Sequence, residues 1–253
     1  MEALSNNTEP PIPVICMDSS AVPAFQIFNP NDWNGVSRAV VLSCSTEFSV
    51  LQYGATRIAE MCHSPKDRCQ PHFENLKGQW ETSTWNLAKT VCYAQVPELH
   101  VLIEAFFSGM KSLLDLIVQL LSTEKVVGLT LDGFHRAGNI YGGTVLNALD
   151  RNACAGKKHI AKALKELITA HKQLWIDEVI NSRDLLIHPT KGAHQLMFEI
   201  QLESHDGTLV YKDAVPPFVG NQTVDHYSAG QVDNMKQFAR AFLARLRFNG
   251  NDA

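Results

Sequence analysis

A long amphipathic stretch runs through the middle of the chain, from Glu98 to Ser122, and it decides which folds are open to this protein. Its apolar residues recur at intervals of three and four, as on one face of an α-helix. They are Leu99, Leu102, Ile103, Phe106, Met110, Leu113, Leu114, Ile117 and Leu121. Pro97 stands where proline commonly opens a helix. A helix of this length needs other helices to cover its apolar face, so the stretch predicts a helical bundle.

The segment from Lys157 to Ile187 is also helical in its period, but its apolar stripe shifts near Gln173. Residues Ile160, Leu164, Leu167 and Ile168 set the first phase, and Ile176, Val179, Ile180 and Ile187 set the second. We therefore expect two helices or one bent helix. A glycine-containing connection over residues 128–143 precedes this segment, and a short helix to Leu149 should follow that connection.

After Pro189 the apolar period changes from helical spacing to strict alternation, which is typical of a half-buried strand. Leu196, Phe198, Ile200 and Leu202 alternate with polar residues. Asp206-Gly207 is a common hairpin turn, so Thr208 to Tyr211 should form the returning strand. A last helix is expected from about Gly230 to Arg247, with an inward stripe of Val232, Met235, Ala239, Phe242, Leu243 and Leu246.

The first hundred residues have weaker patterns. Residues 1–35 mix Pro, Asn and Ser and predict an irregular arm. Residues 39–42 indicate a strand or a buried helical turn that leads into a helix at 47–62. Prolines and a glycine predict a loop over 63–78, and a helix is expected over 80–95. The predicted fold class is mainly α, a helical bundle over 36–190 with an appended β-hairpin near residues 195–211. The hairpin and the last helix, 191–253, should pack on the same body.

Composition excludes several classes of protein. Of the 253 residues, 45% are hydrophobic, so a substantial core can form and global disorder is excluded. No run of eighteen apolar residues is present, so no transmembrane helix and no membrane partner is expected. The polar segment Met1 to Pro13 lacks the basic start and apolar run of a signal peptide. Six scattered cysteines then favour reduced thiols in a cytoplasmic protein.

Charge is unevenly distributed along the chain. The formal net charge is -4 and the pI is about 6.2, which argues against a general nucleic-acid coat protein. From Arg151 to Lys191, however, eight basic residues face four acidic ones, a local charge of +4. This basic segment could attract a phosphate backbone, or it could be an ordinary solvated helix face.

Most familiar catalytic and binding signatures are absent. Gly156-Lys157 looks like half of a phosphate-binding loop, but Arg151 and Lys158 occupy positions that require glycine and Ser/Thr. Cys62, Cys69 and His72 are of the residue types that bind zinc. Their spacing matches no common zinc finger, so we expect no stoichiometric zinc, and no other metal or cofactor.

The remaining candidate is the stretch from Arg183 to Pro189 at the end of a predicted helix. Arg183 falls on the apolar stripe, where a permanent charge needs a partner such as Asp184. Pro189 should end the helix at His188, a residue type that titrates near neutral pH, as acid–base catalysis needs. The alternative is purely structural, with an Arg–Asp pair and a histidine that caps the helix.

An Arg, a polar residue and a following His at the end of a helix, in an all-helical domain, resemble the HEPN superfamily. Arg183, Asp184 and His188 match that motif position by position, and the helix over 98–122 suits the family's bundle. The resemblance covers roughly residues 80–190. The N-terminal extension and the hairpin depart from a minimal HEPN domain.

The resemblance implies a metal-independent endoribonuclease that acts as a homodimer on RNA, with no DNA partner expected. Arg183, Asp184 and His188 would be the catalytic residues. Lys157, Lys158 and Lys191 of the basic segment are the expected substrate-binding residues. The alternative function is a non-catalytic HEPN-like module that binds RNA or a nucleotide, or that regulates a partner.

Overall fold

The computed structural model describes residues 22–77, 91–187, 196–205 and 208–247. The helices are α1 Val22–Ile27, α2 Gly35–Cys62, α3 Pro65–Lys77, α4 Pro97–Thr123, α5 Gly143–Arg151, α6 Lys158–His171, α7 Asp177–Ile187 and α8 Val224–Arg247, with a 3-10 turn at Pro30–Asp32 and a π-helical segment at Lys172–Ile176. The strands are β1 Val91–Ala94, β2 Phe198–His205, β3 Thr208–Val215, β4 Phe218–Val219 and β5 Gln222–Thr223. The prediction of a mainly helical fold with an antiparallel hairpin is confirmed.

The described chain divides into two compact units, each built from separate segments. Within the described ranges, unit 1 comprises residues from 1–53, 107–181 and 232–253, and unit 2 comprises residues from 54–106 and 182–231. The domain boundaries predicted at residues 35 and 190 stay predictions. Among the described residues, no helix is both long enough and apolar enough to cross a bilayer.

Helix α4 confirms the amphipathic stretch almost to the residue. Leu99, Ile103, Met110 and Leu113 are 0% exposed, as are Leu114, Ile117 and Leu121. Pro97 occupies the first helical position, and Glu98 lies in the first turn, where a carboxylate favours the helix dipole. The helix ends where Lys125 takes the left-handed conformation, with φ 53°.

The shift of the apolar stripe near Gln173 has a specific cause, which is the π-helical segment between α6 and α7. Hydrogen bonds that span five residues rotate the following helix relative to the first. Ile160, Leu164 and Ile168 are buried before the segment, and Ile176 and Val179 are buried after it. The prediction of one bent helix or two is thus confirmed. The segment also buries Trp175 and Lys172, and Lys172 Nζ donates to Asp177 Oδ1 at 2.6 Å.

His171, at the start of this π-helical segment, should make the stability of the protein sensitive to pH. Its Nδ1 accepts a hydrogen bond from the Trp175 indole at 2.9 Å, and its ring lies 5.2 Å from that of Phe238. Burial first, and the Arg245 charge second, lower the pKa of His171 from its ordinary value of 6.5. The unfolded chain therefore binds this proton more readily, so the stabilisation is complete above pH 6.5 and is lost as the pH falls below it.

Urea denaturation at pH 7.5 and pH 5.5 checks this expectation. His171→Gln removes the titration while its amide oxygen can still accept from Trp175, so its midpoint should fall less than that of the wild type. The exposed His159 offers a matched control, and His159→Gln should behave as the wild type does. Equal pH responses in all three proteins would contradict the prediction.

Unit 1 also contains an ordered loop that connects α4 with α5. Phe134, at its centre, is 0% exposed, and its backbone N–H donates to Asp115 Oδ1 at 2.6 Å. Gly142, at the end of the loop, has φ +63° and packs directly against the Phe134 ring. The loop is therefore anchored to the core through Phe134, although many of its other residues are exposed.

The sheet confirms the predicted hairpin and adds a strand to it. Strands β2 and β3 pair antiparallel, with β1 on the other side of β2. The alternation holds, because Phe198, Ile200 and Leu202 are buried and the residues between them are half-buried. The Asp206-Gly207 turn lies outside the described residues. The helix predicted over 80–95 is wrong for residues 91–94, which form β1, and residues 78–90 lie outside the described part.

Three further expectations are corrected. The loop predicted over 63–78 is largely helix α3, because Cys69 and Phe73, one turn apart, are both buried, and Phe73 packs 5.7 Å from the Tyr211 ring. The segment over 22–32, predicted as irregular, contains α1 and the 3-10 turn. Helix α8 begins at Val224 rather than near Gly230, since Val224 and Tyr227 are buried. Residues 39–42 belong to a continuous helix α2.

Candidate functional site

Arg183 and Asp184 lie in the last two turns of α7, whose described part ends at Ile187. Asp177 and Glu178 stand at the other end, where α7 continues directly from the π-helical segment and the Asp177 backbone N–H donates to Lys172 O. Helix α7 therefore extends the preceding helical segment and carries the Arg–Asp pair close to its described end. His188 and Lys191 follow the helix and lie outside the described residues.

The Arg183 side chain is only partly neutralised. Its Nη1 donates to Asp184 Oδ1 at 3.1 Å, while Nε is buried with no hydrogen-bond partner among the described residues. The side chains of Arg183 and Asp184 are 31% and 18% exposed. A guanidinium has five N–H donors in a planar fork, and this one is neither sealed in the core nor fully paired. Because Nε is buried, only the exposed part of the Arg183 side chain can donate to an anion that approaches the end of α7.

Of the three lysines predicted to bind substrate, Lys157 and Lys158 border different hollows of unit 1. Lys157 lies at the N-cap position of α6 and borders a small hollow of about 280 Å³ with Trp33, Glu124 and Arg247. Lys158 is the first residue of α6 and borders a groove of about 820 Å³ between α5 and α6. The two lysines are neighbours in the sequence, but in the structure they line different hollows.

The groove between α5 and α6 brings together cations that sequence reasoning counted only as part of a basic segment. Its lining combines basic, acidic, polar and small side chains: Leu149, Asp150, Arg151, Ala153, Lys158, Lys162, Lys165, Glu166, Thr169, Ala170 and Gln173. The spacing of Lys158, Lys162 and Lys165 places them on one helix face and was the available signal. The sequence did not identify Thr169 and Gln173 as residues of this groove, because nothing in their local sequence marks them.

The zinc candidate has no assembled ligand set in the described part of the chain. Cys62 and Cys69 are buried, and burial raises the pKa of the Cys62 thiol to about 12, which favours the thiol over the thiolate that zinc requires. The side chain of His72 lies outside the described residues. No group of three or more His, Cys, Asp or Glu residues among those described could hold a metal ion. The absence of zinc from the protein stays a prediction.

Comparison of the chain with protein-family models, with curated proteins and with solved structures finds no match in any of the three. The resemblance to HEPN proteins therefore depends on the Arg183-x4-His188 motif and its helical context.

Proposed function

We propose that this protein is a metal-independent endoribonuclease of the HEPN type. The supporting observation is the partly exposed guanidinium of Arg183 near the end of α7, five residues before His188. Arginine in that state suits recognition of a phosphate diester, because its fork can donate two parallel hydrogen bonds to two oxygens. The proposal also places the protein in the cytoplasm, where it would have access to RNA.

The proposed reaction uses the RNA's own 2′-hydroxyl as the nucleophile. The 2′-oxygen attacks the adjacent phosphorus, the bond from phosphorus to the 5′-oxygen breaks, and a 2′,3′-cyclic phosphate and a 5′-hydroxyl result. His188 takes the proton from the 2′-hydroxyl or gives one to the leaving 5′-oxygen. Arg183 binds the scissile phosphate and stabilises the charge that develops on it, and Asp184 orients the guanidinium.

Wild-type protein incubated with a panel of end-labelled RNAs tests the proposal directly. Cleavage should persist in EDTA and leave 2′,3′-cyclic phosphate ends. DNA of the same sequences is the matched control, and it should stay intact because it lacks the nucleophile. If the folded protein binds RNA and cleaves none of the panel, the non-catalytic binding module is the correct alternative.

The proposal includes a homodimer, in which two Arg183/His188 pairs share one cleft. A stable interface of this kind should bury at least about 1,000 Å². Light scattering at micromolar concentration should therefore return twice the chain mass of 28.1 kDa. A mass of one chain across that concentration range would contradict the dimer.

A further inference from the structure

The groove between α5 and α6, here called the cationic groove, is a charged hollow in unit 1 with no part in the chemistry assigned to Arg183 and His188. Arg151 from the end of α5 and Lys158, Lys162 and Lys165 from α6 supply its positive charge. Asp150 and Glu166 supply the acids among its lining residues. Its volume of about 820 Å³ is that of an open binding groove rather than a packing defect.

Most of the groove's positive charge has no counter-charge within hydrogen-bond reach. Lys165 Nζ donates to Asp150 Oδ1 at 2.8 Å, and this hydrogen bond, followed by the charge of Lys165, lowers the pKa of Asp150. Within the described part of the chain, Arg151, Lys158 and Lys162 form no ion pair. All three side chains belong to exposed residues. These three cations are therefore available to bind an external anion.

The placement of these cations is unfavourable for α6 on its own. Lys158 and Lys162 lie four residues apart on one face, where like charges repel and destabilise a helix. The first turn of α6 contains no acidic residue, and the charge of Lys158 in that turn also opposes the helix dipole. Lys162 and Glu166, also four residues apart, have opposite charges and offset part of this repulsion. A bound polyanion would offset both repulsions.

We propose that the cationic groove binds the phosphate backbone of the RNA substrate, without regard to base sequence. The proposal rests on the proposed nuclease function for the identity of the polyanion. Phosphates match the three unpaired cations, and Thr169 and Gln173 can hydrogen-bond to sugar hydroxyls along the same wall. The lining includes no aromatic side chain for base stacking, so the groove recognises the backbone and not the bases. It does so in a protein whose net charge is -4.

Fluorescence anisotropy with a 2′-O-methyl RNA tests the groove separately from catalysis, because the blocked hydroxyl prevents cleavage. The triple variant R151Q/K158Q/K162Q should bind about tenfold more weakly at low salt. Its plot of log affinity against log salt concentration should be shallower by about 2, at about 0.7 for each phosphate contact to a single strand. The variant K158R/K162R keeps the charges and should bind as the wild type does.

A triple variant elsewhere provides the matched control. K66Q/K125Q/R240Q removes three charges from exposed residues outside the groove and should leave the affinity and its salt dependence unchanged. Equal binding by the two triple variants, both shown to be folded by circular dichroism, would overturn the proposal. Loss of binding to a polyglutamate peptide but not to RNA would also overturn it and identify an acidic protein partner.

The outcomes separate this inference from the nuclease proposal. If the wild type cleaves RNA and the groove variant binds RNA normally, the groove fails while the nuclease stands. If binding depends on the groove but no RNA is cleaved, the groove stands and the nuclease proposal fails.

Discussion

Alanine at either Arg183 or His188 is expected to abolish RNA cleavage while leaving the protein folded. General acid–base catalysis alone contributes about 10²–10⁴-fold, so the loss should be plain in a gel assay. Arg183→Lys should also be poorly active, because an ammonium cannot reproduce the bidentate fork. Since the two residues would act as a unit, the double variant should be scarcely worse than either single variant.

Stability measurements decide whether this loss is catalytic. The Arg183–Asp184 pair is partly exposed, so its removal should lower the free energy of unfolding by only about 1 kcal/mol or less. Arg240→Ala and His159→Ala, at exposed positions, are matched controls and should retain cleavage. If Arg183→Ala instead destabilises the protein by about 3 kcal/mol or more, and the wild type cleaves nothing, Arg183 has a structural role.

Gly142→Ala should be among the most destabilising single substitutions in unit 1. A Cβ at Gly142 would lie 2.2 Å from Phe134 Cζ, and the Phe134 ring is completely buried. Forcing that ring aside typically costs about 1–3 kcal/mol. The left-handed backbone of Gly142, with φ +63°, adds about 1–2 kcal/mol for any residue that has a Cβ.

Gly138 in the same loop separates these two effects. Its φ is +61°, but a Cβ there would have no atom within 4 Å. Gly138→Ala should therefore show the backbone strain alone, and Gly142→Ala should show that strain together with the steric clash. Urea denaturation compares them, and equal midpoints would show that the Phe134 ring moves aside freely.

The local sequence pattern was sufficient to predict those elements in which buried residues recur at one regular spacing. The stripe of α4 and the alternation of β2 each predicted which side chains are buried, because a regular element presents one face to the core. The change of phase near Gln173 located the π-helical segment to within a few residues, although the sequence could not distinguish it from a loop. The spacing of apolar residues in such an element therefore shows which of its side chains are buried.

Elements that depend on distant partners were not predictable in the same way. The β1 strand is stabilised by pairing with β2, more than a hundred residues later, and α3 by the burial of Cys69 and Phe73. Pro65 occupies the first position of α3, where proline is tolerated, and the burial of Cys69 and Phe73 outweighs the cost of Pro71 inside the helix. The sequence of each segment contains no record of its partner, so local propensity gave the wrong element.

For the candidate site, too, the sequence determined some features and the tertiary structure determined others. The sequence by itself predicted that Arg183 and Asp184 lie near the end of a helix, because Pro189 disfavours the helical conformation for the residue before it. Only the tertiary structure decided that Arg183 remains partly exposed and that Lys157 and Lys158 face different hollows. Exposure and the sharing of a groove depend on which elements pack beside a residue, and one segment's sequence does not specify its neighbours.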